Sequence, residues 1–189
     1  MAIKIYIDQG HNPYGFNTGA EGNGFREQDV TYDIGVRLYD LLRTDGNFNP
    51  RLSRPTPTTV LGTDNSSALR ARVDEANAWG ASSFVSLHTN SSGNAAATGA
   101  ECLIYSTALA ATRTLAEQIL TSLVATTGLR NRGVIARPDL YVLRKTRMPA
   151  VLVEMGFISN AQDAALMTSS PELFAVGIYR GLARYYGVC

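Results

Sequence analysis

Two histidines stand where the sequence predicts that β-strands end. His11 follows an alternating apolar segment at 3–8, His88 follows the apolar run at 84–87, and the chain contains no other histidine. Open α/β sheets build their sites at strand ends, and neutral imidazole is a common zinc ligand. A catalytic zinc site takes three protein ligands and leaves one position to water. We therefore predict that both imidazoles bind one zinc ion, the alternative being two loop histidines that each satisfy one hydrogen bond.

Four carboxylates near the end of the first predicted strand are candidates for the third ligand. They are Asp8, Glu21, Glu27 and Asp29. Glu27 follows a glycine-rich loop and begins a predicted helix, where a carboxylate also stabilises the helix dipole by about 0.3–1 kcal/mol without touching a metal. Spacing alone therefore leaves the third ligand open.

Glu154 directly continues the apolar run at 151–153. A carboxylate in that position is costly to bury unless it is paired, coordinated or facing a wet cleft. One explanation is a buried ion pair with Arg144 or Arg147. The other is a general base that accepts a proton from water at the metal, a role for which Glu101 is a rival.

Alternating strands and helices must position these side chains. Period-two alternation and short apolar runs predict strands at 3–8, 48–53, 84–87, 101–105 and 151–153, the last preceded by apolar Val142 and Leu143. Helical spacing predicts a helix at 27–43 ended by Asp45 and Gly46, one that follows an N-cap at Ser66 or Ser67 and ends around Trp79, one marked by 115–124 with Gly128 as its C-cap, and one from Pro171 onward. This order predicts a three-layer α/β domain, and the successive strands at 84–87 and 101–105 suggest locally mixed or antiparallel pairing.

Composition and charge exclude several classes of protein. The 189 residues are 45% hydrophobic, and 17 basic against 16 acidic residues give a net charge of +1, too little for a nucleic-acid partner. The longest uncharged stretch contains polar residues that a bilayer would not tolerate, so no transmembrane segment is expected.

Cys102 and Cys189 lack the spacing of a metal site or a redox pair and are expected to be ordinary thiols. We expect residues 1–189 to form a single catalytic domain.

Several blocks of sequence surround the candidate residues. The blocks are Ile-Asp-Gln-Gly-His at 7–11, Gly-Phe-Arg-Glu at 24–27, Ser-Arg at 53–54, Leu69 with Arg72 and Ala-Asn at 76–77, Phe-Val-Ser-Leu-His-Thr-Asn at 84–90, Gly-Ala-Glu at 99–101, and Met-Pro-Ala-Val-Leu-Val-Glu-Met-Gly-Phe-Ile-Ser-Asn at 148–160. The last block is highly specific. Together the blocks cover essentially the full length, and the chain resembles the zinc-dependent N-acetylmuramoyl-L-alanine amidases, which include cell-separation, sporulation and phage-lysin enzymes.

The resemblance implies a role for each candidate residue. His11, Glu27 and His88 would bind one catalytic zinc ion, and Glu154 would be the catalytic glutamate. Asn90 would line the substrate cleft, whereas Arg72 and Asn77 are expected to be structural. The fold implied is a twisted, mixed six-stranded sheet with helices on both faces. The activity implied is hydrolysis of the amide between N-acetylmuramic acid and the L-alanine of the peptidoglycan stem peptide.

The same resemblance carries expectations about partners and location. Regulated members insert a helical segment that blocks the zinc, whereas here an ordinary helix accounts for much of residues 106–149, so we expect the chain to act on peptidoglycan without an activator protein. We also expect a monomer. Lys4 and Asp8 interrupt the apolar start, so no signal peptide is expected. The chain would then be made in the cytoplasm and reach the cell wall after release, as an endolysin or autolysin does, or within a longer secreted protein.

Two other functions compete with this interpretation. A metal-independent glycosidase would pair Glu27 or Glu101 with Glu154 as acid and base. A non-enzymatic cell-wall-binding module would retain the pocket without turnover.

Overall fold

A mixed sheet of six strands forms the middle layer of the protein, for which this computed structural model describes residues 2–106 and 109–188. The strands in chain order are β1 (Ile3–Gln9), β2 (Glu21–Gly22), β3 (Phe25–Arg26), β4 (Phe48–Leu52), β5 (Ser83–Asn90), β6 (Ala100–Ile104), β7 (Asn131–Ala136) and β8 (Ala150–Phe157). The helices are α1 (Glu27–Asp45), α2 (Asn65–Trp79), α3 (Ala110–Thr127), α4 (Tyr141–Lys145), α5 (Ala161–Ser169) and α6 (Pro171–Tyr186). Strands β2 and β3 form a separate small hairpin.

The order of strands across the large sheet is β4-β1-β5-β8-β6-β7. Strands β4, β1, β5 and β8 are mutually parallel, whereas β6 runs antiparallel to β8 and parallel to β7. The predicted mixed sheet is therefore confirmed, but β6 pairs with β8 and not with β5. The reason is that β8 is apolar on both sides and fills the centre of the sheet, which separates the two strands that are successive in the chain.

Successive side chains of each strand enter two different hydrophobic cores. Ile5 and Ile7 belong to the core formed with α1, α3 and α6, while Tyr6 belongs to the core formed with α2 and α4. Because side chains of a strand alternate between faces, both layers of helices need apolar residues from the same strand. The predicted three-layer α/β architecture, with helices on both faces of a six-stranded sheet, is confirmed.

Several predicted helix boundaries agree with the structure, and one cap differs. Gly46 is the C-cap of α1 and Gly128 that of α3, both in the left-handed conformation, and Pro171 is the first residue of α6. The N-cap of α2 is Asp64, not Ser66 or Ser67. The Asp64 carboxylate accepts a hydrogen bond from the Ser67 N–H at 2.8 Å, while the Ser67 hydroxyl accepts one from the Asp64 N–H at 3.0 Å.

Other predictions about local structure were wrong or incomplete. His88 lies within β5 and does not follow it, because pairing with β8 extends the strand to Asn90. Val142 and Leu143 lie in α4, where they pack in the smaller core. The elements β2, β3, β7, α4 and α5 were not predicted. Cys102 is a free, buried thiol as expected, and Cys189 lies outside the described residues.

The described ranges contain no helix whose length and apolar character would let it cross a bilayer. The longest helices are α1 and α3, and both pack one face against the sheet and α6.

Helices α3 and α6 approach each other closely at two glycines. A Cβ added at Gly177 would lie 2.8 Å from the Cα of Leu123, and one at Gly181 would meet the backbone of Ile119 still more closely. The contact is with backbone atoms, so it cannot be relieved by rotating a side chain.

We predict that Gly181→Ala destabilises the protein by about 1–3 kcal/mol, because the methyl group must push α6 away from α3. The gain in helix propensity, up to about 1 kcal/mol, opposes this loss but is smaller. Urea unfolding of the two proteins measures the difference. Gly93→Ala is the control, because a Cβ there meets open space; equal midpoints for Gly181→Ala and the unsubstituted protein would contradict the prediction.

Candidate metal centre

Three predicted ligands converge from three separate segments of the chain. His11 follows β1, Glu27 is the first residue of α1, and His88 lies near the end of β5. The Glu27 Oε1 atom is 3.1 Å from His11 Nε2 and 3.0 Å from His88 Nδ1. Candidate ligand atoms of the three residues all lie within 4.8 Å of one another. Two nitrogens and one carboxylate oxygen in this arrangement form the kind of three-residue set that binds a catalytic zinc ion.

The backbone presents His11 in an unusual conformation. Its φ is 69°, in the left-handed region that residues other than glycine rarely adopt. This turn away from β1 places the ring beside His88, with ring centroids 4.7 Å apart and planes at 76°. The Nδ1 atom lies 3.3 Å from the carbonyl oxygen of Asn17. A protonated Nδ1 donating to that carbonyl leaves the Nε2 lone pair free for a metal.

Backbone amides hold the carboxylate of Glu27 in place. Oε1 accepts a hydrogen bond from the Thr89 N–H at 2.9 Å, and Oε2 accepts one from the Ala20 N–H at 2.9 Å. Burial of the carboxylate raises its pKa, but hydrogen bonds and charges of His11 and His88 outweigh burial and hold the pKa far below its ordinary value. Glu27 is therefore an ionised, oriented carboxylate.

The other three carboxylates considered as third ligand are engaged elsewhere or lie apart. Asp8 is buried in an ion pair with Arg72, and Asp29 pairs with Arg26 at the surface. Glu21 is exposed in β2. Among the described residues, the group able to hold a metal contains Glu27 as its one carboxylate.

Glu154 lies opposite one of the candidate metal ligands, and one of its carboxylate oxygens has no partner. It is opposite His88 in the parallel register of β5 and β8, and opposite Glu101 in the antiparallel register of β6 and β8. Its Oε2 atom is buried without a hydrogen bond, and no ion pair with Arg144 or Arg147 forms. Burial and the negative charges of Glu27 and Glu101 raise its pKa to about 8. The alternative explanation of Glu154, a buried ion pair, is therefore not what the structure contains.

Glu101 differs from Glu154 because its charge is compensated. Its Oε2 atom accepts from Arg132 Nε at 2.8 Å, and its Oε1 atom accepts from Asn90 Nδ2 at 3.0 Å. The ion pair with Arg132 holds the Glu101 side chain in place. Of these two cross-strand neighbours, Glu154 is the one with an unpartnered oxygen beside the ligands.

A cavity of about 130 Å³ lies beside the two imidazoles, on the α2 and α4 side of the sheet. Its walls combine polar and apolar side chains. The lining residues are Asp8, Gly10, His11, Asn17, Leu69, Arg72, His88, Leu140, Tyr141, Val142 and Leu152. Larger surface depressions lie elsewhere, and the one lined by Leu109, Arg147 and Ala150 is at the opposite end of β8.

Sequence reasoning did not identify the groups that orient the ligands. The Asn17 carbonyl, the Ala20 N–H and the Thr89 N–H are backbone atoms, which leave no signal in the residue type. The expected structural residue Asn77 joins α2 to the end of α4, since it donates to the Lys145 carbonyl at 3.0 Å and accepts from the Arg147 N–H at 2.9 Å.

Comparison of sequences finds one family over nearly the whole chain. A family model described as N-acetylmuramoyl-L-alanine amidase matches residues 5–184. The chain is 35% identical over 189 residues to N-acetylmuramoyl-L-alanine amidase CwlM of Bacillus licheniformis, an alignment that covers 98% of this chain and 70% of that protein. It is 36% identical over 185 residues to the amidase LytC of Bacillus subtilis, covering 96% of this chain but 35% of LytC.

Comparison of structures agrees with the sequences. An N-acetylmuramoyl-L-alanine amidase from Clostridium difficile 630 superposes with a TM-score of 0.89 at 27% identity, covering 98% of this chain and 97% of that one. The CwlD amidase of Clostridioides difficile, solved in complex with the GerS lipoprotein, also has a TM-score of 0.89 at 27% identity, covering 99% of this chain and all of that one.

We predict that Glu154→Gln stabilises the chelator-treated protein at pH 8.5 and has less effect at pH 5. The pKa of Glu154 is raised to about 8 in the folded protein, above the ordinary value of 4.5. At a pH between these values the folded protein binds a proton that the unfolded chain has released, and this proton binding favours folding. That contribution is lost as the pH rises through 8, whereas glutamine does not ionise. Thermal unfolding at the two pH values measures the effect, about 2–4 °C in melting temperature for each kcal/mol.

Glu117→Gln is the control for this measurement, because Glu117 is exposed on α3. It should shift the melting temperature equally at both pH values. An equal shift for Glu154→Gln at pH 5 and pH 8.5 would show that the carboxyl group ionises normally in the folded protein.

Proposed function

The chain belongs to the N-acetylmuramoyl-L-alanine amidase family, and we propose that His11, Glu27 and His88 hold the zinc ion with which it acts on peptidoglycan. The reaction is hydrolysis of the amide between N-acetylmuramic acid and the L-alanine of the stem peptide. The single observation that supports this assignment is the approach of the three candidate ligand atoms to within 4.8 Å.

The donor set fits zinc. Two imidazole nitrogens and one carboxylate oxygen suit this ion, and three protein ligands leave a position for the reacting groups. When bound, zinc supplies Lewis acidity that polarises the scissile carbonyl and lowers the pKa of water to about 7. The Asn17 carbonyl keeps the His11 ring in the tautomer with Nε2 free, and the amides of Ala20 and Thr89 keep Glu27 ionised and oriented.

Glu154 is the proposed general base and acid. Glu154 lies opposite His88 in the sheet, and its unpartnered oxygen accepts a proton as water attacks the carbonyl carbon. When the carbon–nitrogen bond breaks, the same carboxyl group returns the proton to the departing amine of L-alanine. A pKa raised by burial suits a group that must both take and release a proton near neutral pH.

Glu101 and Asn90 are proposed to shape the cleft beside Glu154. Arg132 and Asn90 both bond to Glu101, so the anion is held away from proton transfer. Asn90 is half-buried at the end of β5. Its assignment as a substrate-binding residue remains a prediction.

The biological setting is also a proposal. We infer that residues 1–189 act as one catalytic domain, as a monomer that reaches the cell wall after release or within a longer secreted protein. The family match over residues 5–184 supports one domain. The complex of the similar CwlD amidase with a lipoprotein shows that a relative can have a protein partner, so activator-free turnover needs its own test.

No finding supports the two competing functions. A glycosidase needs two carboxyl groups free to act as acid and base, whereas Glu27 is held by two histidines and Glu101 by Arg132. A binding module without turnover does not account for an unpartnered carboxylate oxygen on Glu154 beside three candidate ligands.

We predict that Glu154→Ala binds zinc normally and loses activity by a factor of about 10²–10⁴, because the proton acceptor is removed while the ligands remain. His88→Ala should lose both the metal and the activity. Metal content of the purified proteins and release of stem peptides from isolated sacculi measure the two effects. Near-normal turnover by Glu154→Ala would remove this residue from the mechanism.

The products distinguish the reaction class. An amidase generates new amino termini, and a chelator abolishes their release until zinc is restored. New reducing ends that persist in the presence of the chelator would instead establish the glycosidase.

We also predict that the purified chain releases stem peptides from sacculi without any added protein, since an ordinary helix and a short edge strand fill most of the segment between β6 and β8. The matched control is the Glu154→Ala protein from the same preparation. Turnover that begins only after a second protein is added would establish an activator requirement.

A further inference from the structure

Arg72 is a buried cation that contacts the backbone of a candidate metal ligand. Its side chain is 1% exposed and extends from α2 to the end of β1. The Nη2 atom donates to the carbonyl oxygen of His11 at 2.7 Å, and Nη1 donates to the carbonyl oxygen of Gln9 at 2.8 Å. Nη1 also lies 3.3 Å from the hydroxyl of Ser53 and pairs with the carboxylate of Asp8.

These contacts surround the strained residue of the site. His11 has a left-handed backbone, which needs support from its surroundings because it is unfavourable for a residue with a Cβ. The adjacent N–H groups are fixed, since Gly10 donates to Leu87 at 3.0 Å and Asn12 donates to Asn17 at 2.8 Å. Arg72 fixes the carbonyl of His11, and so completes the set of bonds that holds this turn.

The same guanidinium is connected to the strand that carries the second histidine. Asp8 accepts from Arg72 through one oxygen and from the hydroxyl of Ser86 through the other, at 2.7 Å. Ser86 precedes His88 by two residues on β5 and lies opposite Asp8 in the register of β1 and β5. Arg72 and Asp8 therefore join the segments that hold His11 and His88 from beneath the site.

We propose that Arg72 is a positioning residue for the metal centre, holding His11 in the conformation that brings its Nε2 atom beside Glu27 and His88. This inference rests on the proposed function. The guanidinium donates from two nitrogens to the carbonyls of Gln9 and His11, whereas lysine donates from a single nitrogen and methionine has no donor. Metal affinity should therefore fall in the order arginine, lysine, methionine.

The experiment measures zinc affinity by chelator competition for the unsubstituted protein, Arg72→Lys and Arg72→Met, at a temperature where circular dichroism shows each to be folded. We expect a loss of about 10–100-fold, the usual effect of removing a group that orients a ligand. The absorption spectrum of the cobalt-substituted proteins should change as well, because it reports coordination geometry. Leu182→Ala is the control, since it opens a cavity in the core on the other face of the sheet.

The outcomes separate a positioning role from a purely structural one. A structural role predicts that Arg72→Lys and Leu182→Ala both lower the unfolding temperature and both keep zinc affinity and the cobalt spectrum, which would overturn the proposal. If neither Arg72 variant folds, Asp8→Asn decides, because it removes the charge that pairs with the guanidinium and keeps the shape of the side chain: a loss of zinc affinity of about 10-fold or more supports the role, and unchanged affinity refutes it. Absence of zinc binding by the unsubstituted protein would refute the proposed function itself, whereas tight binding with unaffected Arg72 variants would refute this inference alone.

Discussion

The site depends on one constraint: two imidazoles and a carboxylate must meet at a point although they come from three distant segments. Glu27 Oε1 lies 3.0 and 3.1 Å from the two ring nitrogens. Ionisation of this buried carboxylate is stabilised by the same imidazoles and by two backbone amides. The sheet supplies the required convergence, because the carboxyl ends of parallel β1 and β5 adjoin and α1 begins beside them.

Different surroundings give neighbouring carboxylates different states. Burial raises the pKa of Asp8, but the charge of Arg72 and the hydrogen bond from the Ser86 hydroxyl outweigh burial and lower this pKa overall. Glu101 accepts hydrogen bonds from the guanidinium of Arg132 and from the side-chain amide of Asn90. Glu154 has burial and two negative neighbours, which raise its pKa. Glu154 is therefore the carboxyl group of the three whose ionisation its surroundings oppose, which supports the proposal that it transfers protons, because perturbed pKa values cluster at functional sites.

The sequence and structure comparisons fit this arrangement. The family match extends over residues 5–184, so it includes all of the sheet except the first two residues of β1, and it includes all four candidate site residues. The chain spans 35% of LytC and 70% of CwlM, so these relatives contain further sequence beyond the shared region. In this chain the shared region contains the six-stranded sheet and the hydrophobic core on each of its faces. It also contains the cluster of His11, Glu27 and His88.

The sequence by itself determined the local elements and the chemical types available. The alternation at 3–8, Gly46 after α1 and Pro171 at the start of α6 act through short-range conformational preferences, so they could be predicted. Its motifs also identified the family.

Tertiary structure decided the remainder. The spacing of residues left four carboxylates as possible third ligands. In the folded chain Glu27 contacts both histidines, whereas Asp8 forms an ion pair with Arg72. It also placed β8 between β5 and β6, and so put Glu154 opposite both His88 and Glu101. Strand pairing and the burial of charge depend on residues tens of positions apart, and no local preference of the chain encodes such distances.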